Sequence, residues 1–190
     1  MKIAITGTIG SGKSAALKII NDLGFKTFDC DEIAHSLQIK GAKGYLAIAN
    51  TFENVLNDDN SLNRQALAKS VFNDQEALTK LNAIMLTLIK ERLICLLAEN
   101  DLAIVEVPLL FESGFANLFD KSILITCRQE TAIKRLLERG LNYDEIMQRI
   151  ESQMDVEIKK ILADYVIEND DSLVDLKFKI NKVLKEMGIC

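Results

Sequence analysis

The sequence predicts an α/β protein, a parallel five-stranded sheet flanked by helices. Three observations carry this. Short β-branched runs alternate with longer helical patterns, the signature of strands joined by helical crossovers. A glycine-rich turn, Gly7 to Ser14, sits between the first strand pattern and the first helix pattern. Residues 45–100 carry helical periodicity and no strand signal, so a helical insertion separates the second strand from the third.

The elements follow in order. Lys2–Thr6 reads as a strand buried on both faces, and Lys13–Leu23 as a helix with Ala16, Leu17, Ile20 and Leu23 on one side, ended by Gly24. Phe25–Phe28 reads as a second strand and Asp31–Ile39 as a short helix. Within the insertion, helices are expected from Asn63 to Phe72 and from Asp74 to Glu99. Leu102–Val107, Ser122–Cys127 and Tyr165–Ile167 read as strands three to five. Helices are expected at Glu130–Arg139, Tyr143–Met154 and Leu173–Met187. The 190 residues suffice for a single domain, with the insertion at about 40–100 and a lid at about 135–158.

Composition excludes several classes. The longest unbroken apolar run is Leu93–Ala98, far short of the roughly 20 residues that cross a bilayer. The N-terminal stretch has no apolar h-region, so no secretory signal is expected. A net charge of −5 without blocks of like charge argues against a nucleic-acid or anionic-membrane surface. The cysteines, Cys30, Cys95, Cys127 and Cys190, are widely spaced, and His35 is the only histidine. That pattern builds no zinc site and predicts reduced, buried thiols in a cytoplasmic protein. His35 reads as a solvated or structural residue.

Gly7-Thr8-Ile9-Gly10-Ser11-Gly12-Lys13-Ser14 fits G-x-x-x-x-G-K-[ST] in a strand–turn–helix frame. Glycines at these positions permit positive φ and let backbone amides approach phosphate oxygens. The helix N-terminus adds to the anion site. Lys13 would neutralise the β and γ phosphates, and the Ser14 hydroxyl would be a hard oxygen ligand for Mg²⁺. The motif implies a nucleoside triphosphate and leaves kinases, switches and motors open. A GTPase needs Asn-Lys-x-Asp, whereas Asn181-Lys182 continues with Val183-Leu184. A large motor needs a longer chain. A small-molecule kinase remains.

A kinase acceptor must lose a proton. Asp29 and Asp31 end the second strand pattern, where a carboxylate would face the phosphate loop across the carboxyl edge of the sheet. If the segment stays extended, both carboxylates share a side. The alternative is that one of them only caps the next helix. Arg135 and Arg139 share a helix face at i, i+4, and Arg149 and Gln153 repeat the spacing on the next helix. Such arginines can clamp phosphate bidentately; a solvated helix face is the competing reading.

Taken together, the motifs resemble the dephospho-coenzyme A kinase family over about residues 1–170. Gly7–Ser14 resembles the family's GGIGSGKS, and Asp29-Cys30-Asp31-Glu32-Ile33-Ala34 its D-A-D-x-I-A. Leu62-Asn63-Arg64 with Leu67 and Val71-Phe72 is similar to L-x-R-x-x-L-x-x-x-[IV]-F. Pro108-Leu109-Leu110-Phe111-Glu112 matches PLLFE. Arg135, Leu136 and Arg139 stand at R-L-x-x-R, and Gln153 with Ala163–Asn169 matches Q and A-D-x-V-I-x-N.

The resemblance implies a P-loop kinase-like core, a helical substrate insertion and a lid. It implies ATP and Mg²⁺ as cofactors and phosphorylation of the ribose 3′-hydroxyl of dephospho-CoA, giving CoA and ADP. Partners are then small molecules, with no nucleic acid and no membrane, in a monomer or small homo-oligomer. Asp31, Lys13 and Arg139 become the expected catalytic residues. Gly7, Gly10, Ser11, Gly12, Lys13, Ser14, Ala15, Arg135 and Asn169 are expected at ATP. Asp29, Arg64, Pro108, Leu109, Leu110 and Glu112 are expected at the acceptor. Another small kinase with a different acceptor, and a non-catalytic nucleotide-binding protein, are the rival readings. The chain departs from the family at Ala15, where Thr is usual, at Leu86-Thr87 in place of His-Pro, at Glu106 in place of Asp, and at Gly140 in place of Asp. Glu112 is expected either to close a polar network or to cap the segment that follows.

Overall fold

The computed structural model describes residues 1–72 and 74–189. Five parallel strands form one sheet in the order β2-β3-β1-β4-β5: β1 Lys2–Gly7, β2 Thr27–Asp29, β3 Ala103–Glu106, β4 Lys121–Thr126 and β5 Tyr165–Glu168. β1 runs in register with β3 on one side and β4 on the other, Ile5 pairing with Glu106 and with Ile123. Ile3, Ala4 and Ile5 are wholly buried, as the unbroken apolar run of a central parallel strand requires.

The helices among the described residues are α1 Lys13–Asp22, α2 Cys30–Leu37, α3 Lys43–Thr51, α4 Arg64–Phe72, α5 Gln75–Glu99, α6 Gln129–Glu138, α7 Tyr143–Glu151, α8 Val156–Leu162 and α9 Leu173–Glu186. The chain divides into two compact units, Met1–Asp29 with Asn100–Cys190, and Cys30–Glu99. In the first, Ala16 and Ile20 of α1 and Leu176, Ile180 and Leu184 of α9 pack with Ile3, Ile5, Ile104, Ile123 and Ile125 of the sheet. In the second, Ile48, Val55, Leu67 and Val71 form a separate core, with Leu78, Leu81 and Met85 of α5 against it.

Several boundaries differ from the sequence expectation for physical reasons. The second strand is Thr27–Asp29 rather than Phe25–Phe28. Gly24, at φ 91°, ends α1, and the Phe25 N–H donates back to the Ile20 carbonyl, so Phe25 still belongs to the helix terminus. Helix α3 and the antiparallel bridge Leu56–Leu62 fill a stretch read only as generally helical. The expected helix Tyr143–Met154 stops at Glu151 with Ser152 as C-cap, and Asp155 starts α8 by accepting the Glu157 N–H. Gln153 is therefore in a turn and not on the helix face with Arg149. Helix α5 runs unbroken through Leu86-Thr87, where the Thr87 hydroxyl donates to the Ala83 carbonyl one turn back. Of the cysteines, only Cys30 is buried; Cys95 is exposed on α5 and Cys127 is half-buried, while Cys190 lies outside the described residues. A 25-residue helix interrupted by charges has no need to bury a residue as small as Cys95 on its outer face.

Candidate active site

The phosphate loop is shaped by contacts only glycine tolerates. A Cβ on Gly7 would lie 2.1 Å from the Ile125 carbonyl oxygen, where β1 presses against β4. Gly10 and Gly12 hold φ of 75° and 94°, and a Cβ on Gly12 would meet the Asn169 side-chain nitrogen at 2.3 Å. Gly12 is the N-cap of α1, so the amides of the first turn stay open toward an anion. Lys13 Nζ donates to the carbonyls of Gly7 (3.1 Å) and Thr8 (2.9 Å) and so lies over the loop. Ser14 is exposed on that first turn and Ala15 packs against the core behind it. An exposed hydroxyl beside the anion cradle is the hard oxygen donor that Mg²⁺ takes, so the residues present fit that ion.

Residues distant in sequence hold the loop. Asn169 follows β5 and is buried; its side-chain amide donates to the Ser11 carbonyl at 2.7 Å and its backbone N–H to Thr126 at 2.7 Å. Arg135 of α6 donates to the carbonyls of Gly10 (3.4 Å) and Ser11 (3.5 Å). Gln153 accepts the Ile9 N–H at 3.1 Å. The Cys127 thiol donates weakly to the Gly10 carbonyl at 3.9 Å; burial pushes its pKa up against the opposing pull of Arg135, which keeps it a thiol. Thr8, Ile9, Cys127, Gln129, Gln153 and Met154 are among the residues lining a cavity of about 380 Å³ beside the loop. Arg139, expected on one face with Arg135, is the C-cap of α6 and is exposed.

At the carboxyl edge of the sheet, Asp29 pairs in register with Glu106 of β3, which is 5% exposed. Past β3, the Thr6 hydroxyl donates to the Pro108 carbonyl at 3.3 Å. Leu110 is fully buried and anchors the segment, while Leu109 is 47% exposed. Glu112 enters a polar network with residues far along the chain, and the short 3-10 turn that follows it has Phe115 as N-cap. Glu112 Oε1 accepts the Met154 N–H at 3.2 Å and sits 2.6 Å from Lys159 Nζ. Burial alone would raise the Glu112 pKa, but the Lys159 hydrogen bond and backbone amides outweigh it and hold the carboxyl below its usual range.

In the unit Cys30–Glu99, Asp31 lies exposed in the first turn of α2. The segment is not extended there, so strand alternation does not put Asp31 on one side with Asp29. Asn63 accepts the Ala66 N–H and starts α4, and Arg64 opens that helix. Arg64 and His35 Nδ1 meet at 2.5 Å, with the guanidinium the group able to donate. Asp31, His35, Arg64, Asn82 and Met85 line a cavity of about 500 Å³.

The structure thus gathers Gly7, Gly10, Ser11, Gly12, Lys13, Ser14, Ala15, Arg135 and Asn169 at the loop, and Asp31 with Arg64 at the second cavity. Sequence reasoning missed Lys159, 0% exposed although charged, because Lys159-Lys160 reads as a solvated pair. The partnership of His35 with Arg64 had no local signal.

A phosphate loop on a five-stranded parallel sheet of this order defines a P-loop kinase. Its fold is shared with shikimate kinase from Aquifex aeolicus, at TM-score 0.54 over 100% of this chain and 99% of that one, with 17% identity. The chain belongs to the dephospho-CoA kinase family, whose model matches residues 1–175. It is similar to the dephospho-CoA kinase of Helicobacter pylori, 38% identical over 192 residues covering 97% of this chain and 96% of that protein. The solved dephospho-CoA kinase of Campylobacter jejuni superposes at TM-score 0.71 with 33% identity, over 97% and 96% of the two chains. As a member of that family the chain is a transferase, a kinase of coenzyme A biosynthesis.

Proposed function

We propose that the protein transfers the γ-phosphoryl group of ATP to the ribose 3′-hydroxyl of dephospho-CoA, giving CoA and ADP. The observation that carries this is a phosphate loop complete in its glycines, amides and Lys13, in a chain related over its whole length to dephospho-CoA kinases. Lys13 and the loop amides hold the triphosphate. Ser14 would hold Mg²⁺, which supplies charge neutralisation at the phosphates, and Glu106 stands nearby in the sheet as a carboxylate at the same edge. Arg135 and Arg139 offset charge spreading over the transferring group.

Asp31 takes the 3′-hydroxyl proton. Its exposure, two residues past the end of β2, and its place on one cavity with Arg64 support that role. Asp29, Arg64, Pro108, Leu109 and Glu112 seat the acceptor, with Leu110 anchoring the segment from the core. Residues about 40–100 serve as the acceptor-binding insertion and about 135–158 as the lid of a single kinase domain. Action on small molecules, in the cytoplasm, as a monomer or small homo-oligomer is part of the same reading; no helix among the described residues is long and apolar enough to cross a membrane.

An ATP assay against dephospho-CoA, nucleosides, nucleotides, shikimate and gluconate tests the assignment. Dephospho-CoA should be the acceptor used, and Lys13→Ala should abolish turnover, since no other ammonium takes its place on the loop. Preferred use of another acceptor overturns the substrate. A Lys13→Ala rate within a few-fold of the parent overturns the loop assignment.

A further inference from the structure

Among the described residues, Lys159 is the largest side chain that is fully buried. Lysine reaches that state only with its charge paired. Its partner, Glu112 Oε1 at 2.6 Å, also accepts the Met154 N–H at 3.2 Å. Met154 adjoins Gln153, whose side-chain oxygen takes the Ile9 N–H of the phosphate loop at 3.1 Å. An ion pair and two hydrogen bonds therefore connect α8 through Glu112 and the adjoining residues Met154 and Gln153 to Ile9. The far end of this connection walls the 380 Å³ cavity that the loop shares with Gln153, Met154 and Asp155.

We propose that Lys159 is a positioning residue for ATP: by fixing Glu112 it pins the 153–154 turn, and so holds the phosphate loop at Ile9 in the shape that receives the triphosphate. The proposal rests on the reading of the loop as an ATP site. If packing were all that α8 needed here, an apolar residue would fill the space without desolvating two charges. A lysine instead directs one carboxylate oxygen at one backbone amide, and that amide belongs to the turn whose neighbour touches the loop.

The test uses the full-length protein with calorimetric binding of Mg²⁺ and a non-hydrolysable ATP analogue, melting temperatures, and steady-state kinetics. Lys159→Met alone strands the Glu112 carboxylate, so Lys159→Met/Glu112→Leu, which removes both charges, is the main variant. It should melt within a few degrees of the parent, yet bind the analogue about tenfold more weakly, with KM for ATP rising in step. Gln153→Ala should show a similar loss. Adding it to the double variant should cost less than about a further twofold, because both changes cut the same connection.

Parent-like binding by the double variant overturns the proposal, and so does a Gln153→Ala protein that binds as tightly as the parent. Losses that multiply in the triple variant overturn it as well. Failure of the parent to bind any nucleotide would bring down the ATP reading itself, and this proposal with it.

Discussion

Asn169 donates its side-chain amide to the Ser11 carbonyl at 2.7 Å, joining residues 158 positions apart in the chain. The contact ties the carboxyl ends of β4 and β5 to the loop, because the Asn169 backbone N–H also bonds Thr126. Asn169→Ala leaves the Ser11 carbonyl with only the long Arg135 contact at 3.5 Å. A stranded buried polar group costs about 1–3 kcal/mol. The variant should melt several degrees lower and show a raised KM for ATP. A Tm and KM both equal to the parent's would show that the contact has no role in holding the loop.

Acid should undo a second anchor. Asp164 accepts from Lys121 Nζ (2.9 Å) and from the Ser122 N–H (2.8 Å) and hydroxyl (2.9 Å), joining the start of β4 to the entry of β5. Partial burial raises its pKa, but the bonds from Lys121 and Ser122 prevail and hold it below the ordinary aspartate value of 3.8. A carboxylate depressed on folding stabilises the protein above its unfolded pKa, and that contribution is lost as pH falls through the folded value. Glu112, also depressed, starts to lose its share below 4.5. Melting curves of the parent and Asp164→Asn should therefore differ at pH 7 and converge as the pH is lowered below about 4. A constant gap down to pH 2.5 contradicts the assignment.

Arg139 lies exposed at the C-cap of α6. A surface side chain there contributes within about 0.5 kcal/mol to stability. If Arg139 acts as proposed on the transferring group, Arg139→Ala should leave Tm unchanged and lower kcat more than it raises KM for dephospho-CoA, because such a charge acts on the transition state. If instead Tm falls and kcat per folded molecule stays constant, the arginine is structural.

What could be read from the sequence follows from how local its cause is. β1 and β4 carry apolar runs buried on both faces, and Gly10 and Gly12 hold the positive φ of a turn whose residues are contiguous. Those signals survive in the linear chain. The overrun of α7 has the opposite cause. Ile150 and Met154 continue a helical spacing, and only the caps at Ser152 and Asp155 break it. Lys159 was hidden because its burial depends on Glu112, 47 residues upstream in the numbering, through a bond that no periodicity encodes. The role of Asn169 could be read only as part of a motif, since its partner Ser11 is at the other end of the chain.

The assignment of the base rests on Asp31, and its test separates chemistry from fold. Asp31→Asn keeps the size and, on the exposed first turn of α2, keeps a residue suited to a helix start. The fold and ATP binding should survive, because the phosphate loop does not include this residue. An amide takes no proton, and loss of a general base costs about 10²–10⁴ in rate. Phosphorylation of dephospho-CoA should fall by that amount while calorimetric ATP affinity stays within about twofold of the parent. Asp29→Asn is the internal comparison: Asp29 ends β2 in register with Glu106, on a strand rather than a helix, and should show the smaller kinetic effect. Retention of more than about a tenth of the parent kcat by Asp31→Asn removes it as the base. Greater damage from Asp29→Asn moves the base to the end of β2, into the strand position in register with Glu106.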